Sequence, residues 1–317
     1  MSADPTQFEE PILRIRRRIE ELAAMDAEPA RQAEIAELEA KLTKVSSEIY
    51  SKLTPWQKTL VARHPQRPYT LDFISLLFED FTEIHGDRKF GDDPAIVAGF
   101  ASFRGRPCAI VGHQKGRNTK EKILRNFGQP RPEGFRKALR LMTIAAKFKL
   151  PVFSFIDTQG AYPGVDAEER GQAEAIAVNL REMAALPTPI IITVIGEGGS
   201  GGALALGVGD RVLMFEHAVY SVISPEGCAA ILWKNSSAAP DAAAAMRITA
   251  HDLKKFNVID EIIPEPAGGA HSDHAAAAEA LAPYLEKAVK DLTKLKPALL
   301  LEERYKKFRK MGYFEKG

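Results

Sequence analysis

The sequence predicts an α/β protein whose core is a largely parallel sheet flanked by helices, wound as repeated turns of two strands followed by a helix. Short apolar runs bounded by turn residues alternate with segments of helical period, the order expected of parallel strands joined by crossover helices. Two of those runs, 152–156 and 190–195, lead into glycine-rich turns that open helices. Paired runs precede the helices, as in Ile96–Phe103 and 108–112 around the turn Arg104, Gly105, Arg106 and Pro107.

In chain order, residues 11–50 come first. Ile12, Ile15, Ile19 and Leu22, then Ile35, Leu38, Leu42, Val45 and Ile49, step by three and four. That is one narrow helical stripe, interrupted near Pro29, and it predicts a helical hairpin with an apolar seam. Two helices cannot bury such a seam alone, so the hairpin must pack on the core or on a partner. An amphipathic helix is expected over 71–85. Strands follow at Ile96–Phe103, 108–112, 152–156, 190–195, Arg211–Phe215 and 219–223. Helices are expected between them at 135–149, 167–186 and, briefly, after Ser200. From about Ala275 to the end the pattern is helical and rich in basic residues. The division expected is a helical extension over 1–70, a core over 71–265 and a helical segment over 266–317.

The 317 residues are 45% hydrophobic and 27% charged, the make-up of an ordinary globular protein. A formal net charge of +1 gives no global field for nucleic acid or an anionic membrane. The charge is uneven, since nine basic residues between Lys115 and Arg140 face only Glu121 and Glu133. The two cysteines, Cys108 and Cys228, form no CxxC pair, which excludes a thiolate zinc knuckle within the chain and suits a reducing compartment. No apolar run reaches the length of a membrane span, and no continuous apolar segment follows the basic cluster at Arg14, Arg16, Arg17 and Arg18 to make a signal peptide. A cytoplasmic location is expected.

The turn at 196–203 admits three chemistries. As a dinucleotide fingerprint, Gly196, Gly198 and Gly201 satisfy GxGxxG and Glu216 lies 20 residues on. The stretch 200–208 is cramped for the crossover helix that reading needs. As a nucleophile elbow, the residues around Ser200 satisfy GxSxG, with His251, His271 or His274 available to complete a triad. As an oxyanion site, the glycines let a substrate reach bare N–H groups at a helix N-terminus, where donors are unpaired and the dipole is positive. Tight helix packing on the sheet would explain Gly201, Gly202 and Ala203 but not the glycines before them.

The turn at 157–164 also ends a strand and precedes a helix. Pro163 and Gly164 sharpen it, and the amides of Ala161 and Tyr162 can face the same cleft as those of Gly201 and Gly202. Two strand ends that deliver free N–H groups suit an enolate or ureido oxygen.

Seven motifs then occur in order: GHQKGR (112–117), RNFG (125–128), PEGFRKALR (132–140), DTQGAYPG (157–164), EERGQ (168–172), GEGGSGGALA (196–205) and SVISPEGC (221–228). With the helical N-terminus and IPEPAGGAH (263–271), they cover nearly the whole chain. The sequence resembles the carboxyltransferase alpha subunits of bacterial multisubunit acetyl-CoA carboxylase. It departs at Gln159, where that family usually has proline, which implies a slightly less rigid turn.

The resemblance implies a crotonase-like fold with active sites built between alpha and beta subunits of an α2β2 heterotetramer. It implies transfer of a carboxyl group from carboxybiotin, on a biotin carboxyl carrier protein, to acetyl-CoA, giving malonyl-CoA for fatty acid biosynthesis. ATP is used only in the separate biotin carboxylase step, and the zinc ribbon belongs to the beta subunit. In that setting Gly201, Gly202, Ala161 and Tyr162 would hold the ureido or thioester oxygen. Gly160, Gly199, Ser200, Lys115 and Arg117 would bind cofactor and substrate, the last two meeting CoA phosphates. Such a reaction needs no side-chain base. His113 is therefore expected to be a structural residue, and Glu226 a helix-start carboxylate. Three other functions are open to these residues. A serine hydrolase would use Ser200, a non-catalytic scaffold would act through the hairpin, and an enoyl-CoA hydratase or isomerase would use Glu168 or Glu197.

Overall fold

The computed structural model describes residues 7–25 and 28–312. The expected hairpin forms from α1 (Glu10–Ala23) and α2 (Pro29–Tyr50), each with a proline in its first turn, where the missing N–H costs nothing. Its base makes its own small cluster, in which Ile12, Tyr50 and Val61 are buried against Leu42, Val45 and Ile49. Helix α3 (Pro55–Ala62) starts at a capping box, with Thr54 and Gln57 exchanging bonds, and lies against the core.

The helix expected over 71–85 does not form as one piece. Helix α4 (Thr70–Leu77) stops, and β1 (Glu79–Glu83) pairs antiparallel with β2 (Ile96–Phe103). Packing decides this. A Cβ on Gly99 would lie 2.5 Å from the Thr82 carbonyl and 2.6 Å from the Phe81 ring, so only a bare backbone in β2 admits the new edge strand. The hairpin to β3 (Arg106–His113) turns at Arg104 and Gly105, both at positive φ.

Next come α5 (Thr119–Leu124), α6 (Pro132–Lys147) and β4 (Val152–Thr158). The helix expected over 167–186 is two, α7 (Val165–Glu169) and α8 (Gln172–Ala185), broken at Gly171 with φ +82°. Strand β5 (Ile190–Gly199) leads into the five-residue α9 (Ser200–Leu204). After β6 (Arg211–Phe215) and β7 (Val219–Ser221) the chain forms α10 (Pro225–Trp233), α11 (Ala239–Met246) and α12 (Ala250–Lys255). Then β8 (Glu261–Ile263) precedes α13 (His274–Leu292) and α14 (Pro297–Arg309). The last residues of the helical segment expected over 266–317 lie outside the described residues.

The sheet order is β1-β2-β3-β4-β5-β6-β8, with β3 through β8 parallel along this path. The strand β5 serves two partners on one edge. Ile191 to Val194 pair with β6, and Glu197 to Gly199 pair with β7. That division turns the sheet into a spiral and carries β5 past its neighbours. The core is one cluster centred on Phe73, Phe153, Phe155 and Phe215, and Leu281, Leu285, Leu292 and Leu300 of the last two helices belong to it. Helix α14 is pinned by Arg304, 2% exposed, which pairs with Asp210 at 2.7 Å and donates to the carbonyls of Met183, Leu186 and Thr188.

Candidate active site

The carboxyl ends of β3, β4, β5 and β7 lie at one edge of the sheet, where an α/β protein collects its functional loops. Within the turn at 196–203, the first four residues are strand, so the bend itself is confined to Gly199 and Ser200. The glycines of that strand serve close approach. A Cβ on Gly196 would lie 2.4 Å from Asp157 Oδ1, and one on Gly198 would lie 2.7 Å from the Tyr220 ring. One on Gly199 would fall 2.0 Å from the Gln159 carbonyl oxygen.

The two turns meet. A Cβ on Gly202 would lie 2.4 Å from the Ala161 nitrogen and 2.5 Å from the Gly160 carbonyl carbon, so the Gly160–Ala161 peptide rests directly on α9. Gly201 is different, since its Cβ would meet only Ile176, at 3.6 Å. Gly160 stands at φ +155°, and its N–H is tied to Thr158 Oγ1 at 3.0 Å. The amide of Ala161 has no hydrogen bond among the described residues. Those of Gly201 and Gly202 belong to the first turn of α9, which has no acceptor for them within the helix. Tyr162 corrects the sequence reading. Its N–H donates to the Pro130 carbonyl at 2.9 Å, so it is not free for a substrate oxygen. Its ring packs between Gly164 and the Arg131 guanidinium, 4.6 Å away.

Beneath the turns lies an ionic chain, buried at Asp157 and Glu197 and partly exposed at Arg63 and Glu226. Lys115 Nζ is 2.6 Å from Asp157 Oδ1, which also accepts the Glu197 N–H at 2.9 Å. The Glu197 carboxylate pairs with Arg63 at 2.7 Å, and Arg63 reaches Glu226, at the second position of α10, at 2.5 Å. One network therefore joins the ends of β3, β4 and β5 to α3 and α10. Burial works to raise the Glu226 pKa, but its bonds to Arg63 and to its own backbone amide hold it below the usual carboxylate range. Lys115 and Arg117 are both committed to ion pairs, Lys115 largely shielded and Arg117 at the surface. Arg117 pairs with Asp72 at 2.5 Å, donates to the Pro65 carbonyl and covers the Tyr69 ring at 4.5 Å.

A cleft of about 310 Å³ opens beside the Gln159 turn, lined by Arg63, Tyr69, Lys115, Lys122, Phe127 and Gln159. Lys122 makes no ion pair among the described residues, so it is the uncommitted cation of this cleft. The sequence reading missed Arg63, Asp157 and Lys122 as a set. They come from α3, β4 and α5, and no local pattern marks them.

The other sequence readings lose ground on geometry. Ser200 does sit at φ +52° between strand and helix, as a nucleophile elbow requires, but no histidine bonds to its hydroxyl. His271 stacks on His64, and His274 Nε2 contacts the Gln66 carbonyl at 2.7 Å. In the dinucleotide reading Gly196 and Gly198 would form the turn, yet they are strand residues, and the helix behind them has five residues. His113 is fully buried, with its Nδ1 3.4 Å from the Asp157 nitrogen. Burial pushes its pKa down to about 4 against the pull of Asp157, so it is neutral near pH 7. It is placed as a packed residue behind the turns.

Fold and site define a class, an α/β enzyme of crotonase-like spiral fold in which two backbone turns at parallel strand ends present main-chain amides. A family model described as "Acetyl co-enzyme A carboxylase carboxyltransferase-like" matches residues 5–312. The chain belongs to this family of carboxyl-transferring enzymes, on the side of its alpha subunits. An acetyl-coenzyme A carboxylase carboxyl transferase subunit alpha of Aromatoleum aromaticum is 57% identical over 97% of this chain and 96% of that protein. One of Thioalkalivibrio sulfidiphilus is 57% identical over the full length of both.

Solved structures share the fold at low identity. A transcarboxylase 12S core matches with TM-score 0.55 and 22% identity, over 69% of this chain and 42% of that one. The geranyl-CoA carboxylase beta subunit of P. aeruginosa matches with TM-score 0.54 and 14% identity, over 75% and 45%. A Pseudomonas malonate decarboxylase hetero-tetramer in complex with coenzyme A gives 0.52 and 16%, over 68% and 86%. The chain thus spans less than half the length of the first two. Among the described residues no helix is long and apolar enough to cross a membrane.

Proposed function

We propose that this chain is the alpha half of an acetyl-CoA carboxyltransferase, and that the meeting of its two turns forms the oxyanion site. The single observation that carries the reading is the contact of Gly202 with the Gly160–Ala161 peptide, which leaves the Ala161 amide and the first-turn amides of α9 side by side. Carboxybiotin on a carrier protein supplies the carboxyl group, and acetyl-CoA receives it. The N–H groups of Ala161, Gly201 and Gly202 hold a developing negative oxygen, each such donor contributing roughly 2.7–4 kcal/mol in the transition state. A cradle without Cβ atoms lets a planar ureido or thioester group come within bonding distance of the main chain.

Gly199 admits the Gln159 peptide and Ser200 makes the bend, so both shape the site without touching the oxygen. The network of Lys115, Asp157, Glu197, Arg63 and Glu226 fixes the spacing of the strand ends. Phosphate attraction falls to Lys122, because Lys115 and Arg117 are neutralised by Asp157 and Asp72. A beta subunit completes the site in an α2β2 assembly, with the biotin carboxyl carrier protein and biotin carboxylase as further partners. That setting is cytoplasmic.

Co-expression with a zinc-bearing beta partner, followed by malonyl-CoA decarboxylation in the presence of free biotin, tests this. The complex should turn over malonyl-CoA in a biotin-dependent way, and the isolated chain should not. A folded complex without that activity would sink the assignment, as would fluorophosphonate labelling of Ser200 with hydrolysis of simple esters.

A further inference from the structure

We propose that Glu9, His64 and His271 form a divalent-cation site, with zinc the ion its donors suit, which clips the base of the N-terminal hairpin to the core. The three come from separate segments: the turn before α1, the end of α3, and the glycine-rich loop before α13. One ligand atom from each lies within 4.8 Å of the others. Donors around a tetrahedral zinc stand about 3.3 Å apart, given metal–ligand distances near 2.0–2.1 Å. Side-chain shifts on the order of 1 Å, with rotation of one imidazole ring, therefore close the site.

Chemistry favours the same reading. Two imidazoles and one carboxylate make a donor set that zinc takes readily, with water in the fourth position. The imidazole rings stack with centroids 3.9 Å apart, so one ring must rotate to bring both lone pairs onto an ion; His271 Nε2 lies 3.5 Å from Glu9 Oε1 and 3.3 Å from the Tyr50 hydroxyl. Burial holds His64 down to about 4, so its ring is a neutral ligand near pH 7. Burial works to raise the Glu9 pKa, but its bonds to His271 and Tyr50 hold the group ionised. The Tyr50 hydroxyl donates to Glu9 Oε1 and orients the carboxylate, while Oε2 has no hydrogen bond among the described residues. Gln66 N–H touches His64 Nδ1 at 3.2 Å, an exposed contact that water replaces when the ring turns a lone pair to the ion. Of the nearby cations, Arg67 is neutralised by its bidentate pair with Glu265. Arg16, beside Gly268, remains as an opposing charge that the Glu9 carboxylate must offset.

The test uses the full chain without its partner, stripped with chelator and titrated with Zn²⁺ and with Co²⁺. About one Zn²⁺ should bind per chain, and Co²⁺ should give the visible absorption of a tetrahedral imidazole site. His64→Ala and His271→Ala should each lower affinity by at least about 10-fold, and Glu9→Gln by about 10- to 100-fold. Zinc should slow proteolysis within α1 and α2 of the wild type and leave the variants unprotected. Should His271→Ala, at a buried position, fail to fold, His64→Ala on a half-buried ring gives the same reading. Absence of saturable binding near one equivalent overturns the proposal. Unchanged binding in the histidine variants does so too, because the ion then sits elsewhere, such as the exposed group of Glu83, His85 and Asp92.

Discussion

Adjacent glycines 201 and 202 should respond very differently to one added methyl group. In Gly202→Ala the new Cβ would sit 2.4 Å from the Ala161 nitrogen and 2.5 Å from the Gly160 carbonyl carbon. Ordinary contact begins near 3.4 Å, so the turn at 157–164 must retreat by about 1 Å. Both contacts are backbone, and no flexible side chain can absorb them. A shift of that size takes the Ala161 amide out of register with those of α9. Loss of one such donor lowers kcat by about 10²–10³-fold. The overpacking costs about 1–3 kcal/mol of stability, which a chain of this size survives. In Gly201→Ala the methyl meets only Ile176 at 3.6 Å, and kcat should stay within about threefold of wild type. The assay is biotin-dependent malonyl-CoA decarboxylation by the complex with the beta partner, with urea unfolding as the control for folding. Wild-type kcat from folded Gly202→Ala, or equal losses in the two variants, would refute the idea that the turns act as one site.

Two further outcomes follow from buried charge. Lys115→Met leaves Asp157, whose side chain is 2% exposed, without its cation, and should lower stability in urea by about 3–5 kcal/mol. The double variant Lys115→Met with Asp157→Asn should recover part of that, and a cycle showing no coupling would count against the pair. The buried and half-buried histidines set the acid side. His113 and His64 have pKa values of about 4 in the fold, and His217 is also lowered, in each case chiefly by burial. The unfolded chain binds these protons below about pH 6.5 while the fold refuses them. Stability should therefore be intact above that pH and fall as pH drops from about 6.5 toward 4, by roughly 3 kcal/mol for His113 alone. His113→Gln should flatten this slope in urea titrations at pH 5 to 7.5; an unchanged slope would show that His113 takes up its proton in the fold.

Much of the molecule was legible from local pattern. Strands 152–156, 190–195 and Arg211–Phe215 are apolar runs between turn residues, and the hairpin stripe repeats every three to four residues, so each signal lies within one element. The motifs around 157–164 and 196–205 likewise pointed to both turns. The errors fell where a distant neighbour decides. Residues 79–83 carry a helical pattern, yet Gly99 gives them a place at the sheet edge. The glycines at 196, 198 and 199 read as a loop, yet Asp157, Tyr220 and Gln159 need their missing side chains along a strand.

What the sequence determined alone is which segments bury apolar surface and where backbone amides can be bare. Periodicity and glycine content are properties of neighbouring residues, and burial enforces them whatever the surroundings. Only the tertiary structure decided which amides remain available and which charges are already answered. Tyr162 gave its N–H to Pro130 and Lys115 its charge to Asp157, because a buried donor or ion takes whichever partner the fold brings within about 3 Å.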